Sequence, residues 1–163
     1  MNYYLQRTSH GSTLSRVVHS WVLARSDRPR SWSLFIEALE SDIEDIQGGT
    51  TPEGIHLGAM AGTVDLMQRG YTGIQARGDV LWFDPCLPDE AACLSLRLRY
   101  RQHWLDVEIA SDQLKVKTYD DSQEPIKLGF QGRVYQLEPG DTREFALERG
   151  SGDGRDHLDR DVA

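Results

Sequence analysis

Polar and apolar positions fall into two textures, helical up to about Gly70 and stranded beyond it. Over residues 12–26, Leu14, Val17, Val18, Trp21, Val22 and Ala24 recur at three- and four-residue spacing and make one broad apolar face. Ser12 or Thr13 stands where a cap would open that helix. Ser26-Asp27-Arg28-Pro29 ends it, because proline cannot continue the hydrogen-bond ladder. A second helix is predicted from about Ser31 to Ile46. Its apolar stripe is Trp32, Phe35, Ile36, Leu39, Ile43 and Ile46, with Glu37, Glu40, Asp42, Glu44 and Asp45 on the wet side. The short link implies antiparallel packing of the two helices. After Gly48-Gly49, Thr51-Pro52-Glu53 offers a capping hydroxyl, an early proline and a first-turn carboxylate, so a third helix is expected from there to about Arg69. Gly58 and Gly62 lie inside it. Glycine costs roughly 1 kcal/mol against alanine in a helix interior, so two of them four apart imply that another helix or a ligand comes close.

From Tyr71 onward the pattern shortens to strands, predicted at 74–76, 80–83, 94–100, 104–109, 114–118, 126–130 and 134–137. Leu94 to Arg101 alternates strictly, which buries one face and wets the other. Gln102-His103, Ser111-Asp112 and Pro139-Gly140-Asp141 read as turns. A small antiparallel sandwich fits best, with Trp82 and Trp104 assigned to its core rather than to a sugar-stacking platform. Residues 148–163 are rich in glycine and charge and are expected to form a disordered tail. The division expected is 1–70 helical, 71–147 β-domain, 148–163 tail.

Composition narrows the classes. A net charge of −8 argues against a nucleic-acid partner, because phosphate backbones select basic faces. Cys86 and Cys93 are too far apart for a CxxC pair and are expected as free thiols. With no apolar run of signal or membrane-spanning length, a cytoplasmic location without membrane contact is the default.

The candidate chemistry gathers in two segments. Ser12 and Thr13, beside Gly11, combine hydroxyls with the N–H groups and positive dipole end of a helix, a combination sufficient for a phosphate or carboxylate but also for a plain cap. His56 can donate to a phosphate oxygen or sit in the core bonded to a carbonyl. Glu53 can orient a hydroxyl, activate water or rest on the helix dipole. His10 is a pocket candidate, whereas His19 and His103 fall mid-helix and in a turn. No zinc-type spacing occurs, so no metal is expected. Ser9 or Ser12 as a nucleophile lacks an elbow and an acid partner.

Together these segments carry a resemblance. Thr8-Ser9-His10-Gly11-Ser12-Thr13-Leu14-Ser15, followed by Gly49-Thr50-Thr51-Pro52-Glu53-Gly54-Ile55-His56-Leu57-Gly58-Ala59-Met60-Ala61-Gly62, resembles glycoside hydrolase family 65, which includes maltose, trehalose and kojibiose phosphorylases. Asp79 to Pro85 with Leu87-Pro88 resembles the entry to that family's C-terminal β-domain, and the likeness covers about residues 2–146. It implies an α + β chain: the last helices of an (α/α)6 barrel, then a small antiparallel β-sheet C-terminal domain. It further implies an inverting reaction, in which a glutamic acid protonates the departing oxygen while inorganic phosphate, as co-substrate, attacks the opposite face of the sugar. By family pattern Ser12, Thr13 and His56 hold the phosphate, and no cofactor is implied. The family's general acid belongs to an earlier part of the barrel that these residues do not include. The chain is therefore expected to be inactive alone and to need the upstream portion of the enzyme as partner to disaccharide and phosphate.

Two other functions remain open on the sequence. One is a family 65 hydrolase in which Glu53 activates water. The other is a non-catalytic module that binds carbohydrate or a partner through Trp82 or Trp104.

Overall fold

The computed structural model describes residues 12–45, 48–49, 52, 54–120 and 124–147. Three helices open it: α1 (Thr13–Leu23), α2 (Arg28–Glu40) and α3 (Leu57–Asp65), the last continuing into a π-helical turn over Leu66–Tyr71. Eight strands follow: β1 (Gln75–Arg77), β2 (Val80–Phe83), β3 (Cys93–Tyr100), β4 (His103–Ala110), β5 (Gln113–Thr118), β6 (Ile126–Phe130), β7 (Arg133–Leu137) and β8 (Thr142–Ala146). The expected tail lies outside the described residues. No helix among the described residues is long and apolar enough to cross a membrane.

Helix boundaries differ from those expected. Asp27 caps α2, its side chain accepting from the Arg30 N–H at 3.2 Å, and Pro29 sits in the first turn. The same residues that stop α1 thus start α2 three positions early. At its other end α2 stops at Glu40, where the Ser41 hydroxyl bonds back to the Ala38 carbonyl. Helix α3 begins at Leu57 rather than at Thr51, leaving His56 as its N-cap residue.

The antiparallel α1–α2 pair is held on its buried side by polar bonds. The Ser20 and Ser31 hydroxyls each donate to the other's carbonyl at 2.7 Å, and Arg16 Nε donates to Glu37 at 3.0 Å. Helix α3 lies parallel to α1. A β-carbon on Gly58 would stand 3.4 Å from a Leu14 methyl, and one on Gly62 would stand 2.6 Å from a Val17 methyl. The rising order, 14 against 58 and 17 against 62, gives the direction. The faces of α1 are not those the periodicity suggests. Val17, Ser20, Leu23 and Ala24 are buried, whereas Leu14, Val18 and Val22 are 48%, 57% and 49% exposed. Leu39 and Ile43, assigned to the apolar stripe of the second helix, are also exposed.

Tyr71 ties the helices to the strands. It is fully buried, and its ring lies edge-on to Phe35. Its hydroxyl is 2.9 Å from that of Ser31. Ser31 already gives its proton to the Ser20 carbonyl, so the phenol is the donor. The Tyr71 carbonyl accepts from the Cys86 N–H at 2.7 Å, and Arg25 pairs with Asp84 at 2.7 Å nearby. Cys86 is buried in this junction and Cys93 is exposed.

The strands form two four-stranded sheets, ordered β1-β2-β6-β7 and β3-β4-β5-β8. Their apolar faces meet in one core, with Leu81, Phe83 and Leu128 from the first sheet against Leu105, Val107 and Ile109 from the second. The sandwich is not wholly antiparallel: β6 returns from the second sheet to pair parallel with β2. Parallel neighbours need a long crossover, which β3–β5 provide. Strand β8 escapes the sequence pattern because only Phe145 on it is buried. The tryptophans also correct the core assignment. Trp104 is 44% exposed with Arg99 against its ring, and Trp82 lies over Gly129, where a β-carbon would meet the indole at 2.2 Å.

Two outcomes follow from this packing. Tyr71→Phe removes the phenol donor and should lower unfolding stability by about 1 kcal/mol, read as a lower urea midpoint at unchanged slope. Gly62→Ala should cost about 1–3 kcal/mol by forcing α1 and α3 apart, while Gly58→Ala, meeting only a flexible leucine tip, should stay within about 0.5 kcal/mol of the native chain. Equal loss from both substitutions would contradict the closer approach at Gly62.

Candidate functional site

One end of the helical layer collects the start of α1, the segment after α2 and the start of α3. The Leu14–Gly58 approach joins α1 to α3, Arg16–Glu37 joins α1 to the last turns of α2, and Asp42 reaches His56. Ser12, Thr13 and His56, distant in sequence, therefore share one end of the fold. Helix direction is the cause: α1 and α3 point their N-termini there, and α2 runs the other way.

The capping pattern differs between the ends. Asp27 neutralises the N-terminus of α2 with a side-chain bond. Neither Ser12 on α1 nor His56 on α3 makes a side-chain capping bond, and neither first turn carries an acidic residue. The Ser12 residue is exposed while Thr13 is buried. The Ser15, Leu57 and Ala59 N–H groups bond to the Ser12, Ile55 and His56 carbonyls, while the N-terminal dipole ends of α1 and α3 stand beside the C-terminal end of α2. An anion suits that arrangement.

His56 is the most constrained residue there. Its backbone N–H donates to one Asp42 carboxylate oxygen at 2.9 Å, and its ring Nδ1 lies 2.5 Å from the other. The Asp42 side chain is 9% exposed and that of His56 is 28% exposed. The hydrogen bond from the His56 ring, helped by the one from its backbone, holds the Asp42 carboxyl below its ordinary value against the opposing effect of burial. A carboxylate lowered in this way keeps its bonds above the ordinary value of about 3.9 and loses them only as pH falls through the lowered one. With Nδ1–H given to Asp42, Nε2 is the nitrogen left for a ligand.

Asp42 is the residue that sequence reasoning missed. Extending the helical period to Ile46 put it on the solvent side, but α2 ends at Glu40 and the chain turns, bringing Asp42 onto His56. His10, Gly11 and Glu53 lie outside the described residues. His103 is buried on β4, and Trp104 beside it is exposed.

Comparison with known proteins fits both halves of the chain. The model of the glycosyl hydrolase family 65 central catalytic domain matches residues 1–65, and that of the family 65 C-terminal domain matches residues 74–137. An uncharacterized glycosyl hydrolase of Mycobacterium tuberculosis is 45% identical over 149 residues, spanning 91% of this chain and 11% of that protein. The trehalose 6-phosphate phosphorylase of Lactococcus lactis is 35% identical over 139 residues, 80% of this chain and 18% of its own length. A solved structure from the human microbiome, described as a kojibiose phosphorylase, shares the fold with a TM-score of 0.76 at 24% identity, over 90% of this chain and 20% of that one. The chain thus spans about a tenth to a fifth of the length of these relatives. With both family domains matched in order, the chain belongs to glycosyl hydrolase family 65.

Proposed function

We propose that this chain supplies the phosphate-binding side of an inverting disaccharide phosphorylase acting on an α-glucoside. Ser12 and Thr13 at the start of α1 hold the phosphate together with His56. The observation that carries this is the convergence of two N-termini without side-chain caps, and of an oriented histidine, at one end of parallel helices. Phosphate is already an anionic nucleophile, so the site needs donors that fix it beneath the anomeric carbon rather than a base. The carboxylate base of an inverting hydrolase is then not needed. His56 Nε2–H, when the ring is protonated, donates to a phosphate oxygen, and Ser12 donates a second bond.

The general acid comes from an earlier part of an (α/α)6 barrel to which α1–α3 contribute. Exposure of Leu14, Val18 and Val22 at three successive turns supports this, since such a continuous apolar stripe usually marks a covered surface. The chain alone accordingly binds phosphate weakly and turns over no sugar. The names of its relatives point to trehalose, its 6-phosphate or kojibiose as the substrate class.

Amide chemical shifts recorded during phosphate titration of the chain test this. Shifts should concentrate at Ser12–Ser15 and His56–Ala59, with affinity reduced about tenfold in His56→Ala, as expected for losing one charge-assisted bond. Shifts scattered over the sandwich, or unchanged affinity in His56→Ala, would overturn the phosphate assignment. Glucose 1-phosphate made by the chain alone from trehalose, kojibiose or maltose would overturn its incompleteness.

A further inference from the structure

We infer that Asp42 is the positioning residue of the phosphate site, a carboxylate clamp that fixes the ring of His56 so that Nε2 is the nitrogen offered to phosphate. This rests on the assignment of His56 to phosphate, and it explains how a histidine at a helix start could serve there without a capping role.

The geometry is that of a two-point grip. One oxygen of Asp42 takes the backbone N–H of His56 at 2.9 Å, and the other faces the ring Nδ1 at 2.5 Å. A single-point contact would leave the ring free to rotate about its side-chain bonds. Two contacts from one planar carboxylate to the backbone and ring of the same residue fix both the side-chain rotamer and the proton on Nδ1.

Among the described residues, Asp42 is bonded to His56 alone. The end of α2 is closed by Ser41, whose hydroxyl and N–H both bond to the Ala38 carbonyl. The following turn is held by Asp45, whose carboxylate takes the Gly49 N–H. Asp42 lies between Ser41 and Asp45 and reaches 14 residues ahead instead. Its side chain is more covered than the ring it holds, 9% against 28% exposed, so the supporting group is inside and the supported one faces outward. That layering is what a positioned ligand-binding histidine requires.

Asparagine cannot replace the clamp. It offers one acceptor oxygen where the carboxylate offers two, so either the backbone N–H or Nδ1–H must lose its partner. Glutamate retains both oxygens on a longer arm.

The test is nitrogen-15 spectroscopy of the His56 ring in the full chain, read beside phosphate titration. The native ring should hold its proton on Nδ1 when neutral. Asp42→Asn should shift it toward a mixture carrying the proton on Nε2 and weaken phosphate binding by about fivefold to tenfold, approaching His56→Ala. Asp42→Glu should restore part of both. A native ring protonated on Nε2 would overturn the inference before any variant is made, and so covers the case in which Asp42→Asn does not fold. It would also be overturned if Asp42→Asn left the ring and the affinity unchanged, or if phosphate binding depended on His56 but not on Asp42. If His56→Ala itself left phosphate binding intact, the phosphate assignment would fail, separately from the clamp.

Discussion

The close parallel approach of α1 and α3 governs the rest of this molecule. It exists because Gly58 and Gly62 carry no side chain where Leu14 and Val17 press against the backbone. Parallel helices bring like dipole ends together, an arrangement with no electrostatic benefit of its own. It is sustained by the third element, α2, which runs the other way and is bonded to α1 through Ser20, Ser31, Arg16 and Glu37. The result is an end of the fold where the N-termini of α1 and α3 stand beside the acidic end of α2. Asp42 is the one carboxylate described there as bonded to a site residue, and both its oxygens are committed to His56.

The opposite end of the helical layer is organised for joining. Tyr71 is donor to Ser31 through its ring hydroxyl and acceptor of the Cys86 N–H through its carbonyl, so one buried residue ties α2 to the loop after β2. Burial raises the Tyr71 phenol and the Cys86 thiol above their ordinary values, keeping both neutral in this interface. The sandwich beyond is a stable platform whose wet faces are held by cross-strand pairs such as Arg97–Asp106. Candidate chemistry at the far helix ends and attachment at the near ones are thereby separated along the length of α1.

Particular residues show where sequence and structure part. Strands β1 to β7 were legible within a residue at each end, and β3 to β5 show the reason most clearly because their alternation reflects one covered face. Strand β8 was not, since an edge strand needs only Phe145 inside. The apolar run of α1 was legible as a helix, but not which of its sides is covered, because Leu14 and Val17 are equally apolar. The candidate site was half legible. Ser12, Thr13 and His56 stood out by motif, whereas Asp42 looked like one more surface acid in an acidic stretch.

What the sequence determined by itself is local: the period of each element, the glycine pair on α3, the proline and aspartate that start α2, and the family to which the motifs point. Each depends on neighbours within a few positions, where backbone sterics and side-chain spacing act directly. The tertiary structure decided what those rules cannot see. Asp42 meets His56, and Ser12 shares their end of the fold, only because helix α2 stops short at Glu40 and two helices start at the same end. The direction of β6 depends on a crossover through another sheet, and the Trp104 indole faces water because of the strand phase that buries Leu105. These outcomes come from contacts between distant parts of the chain, which no local pattern encodes.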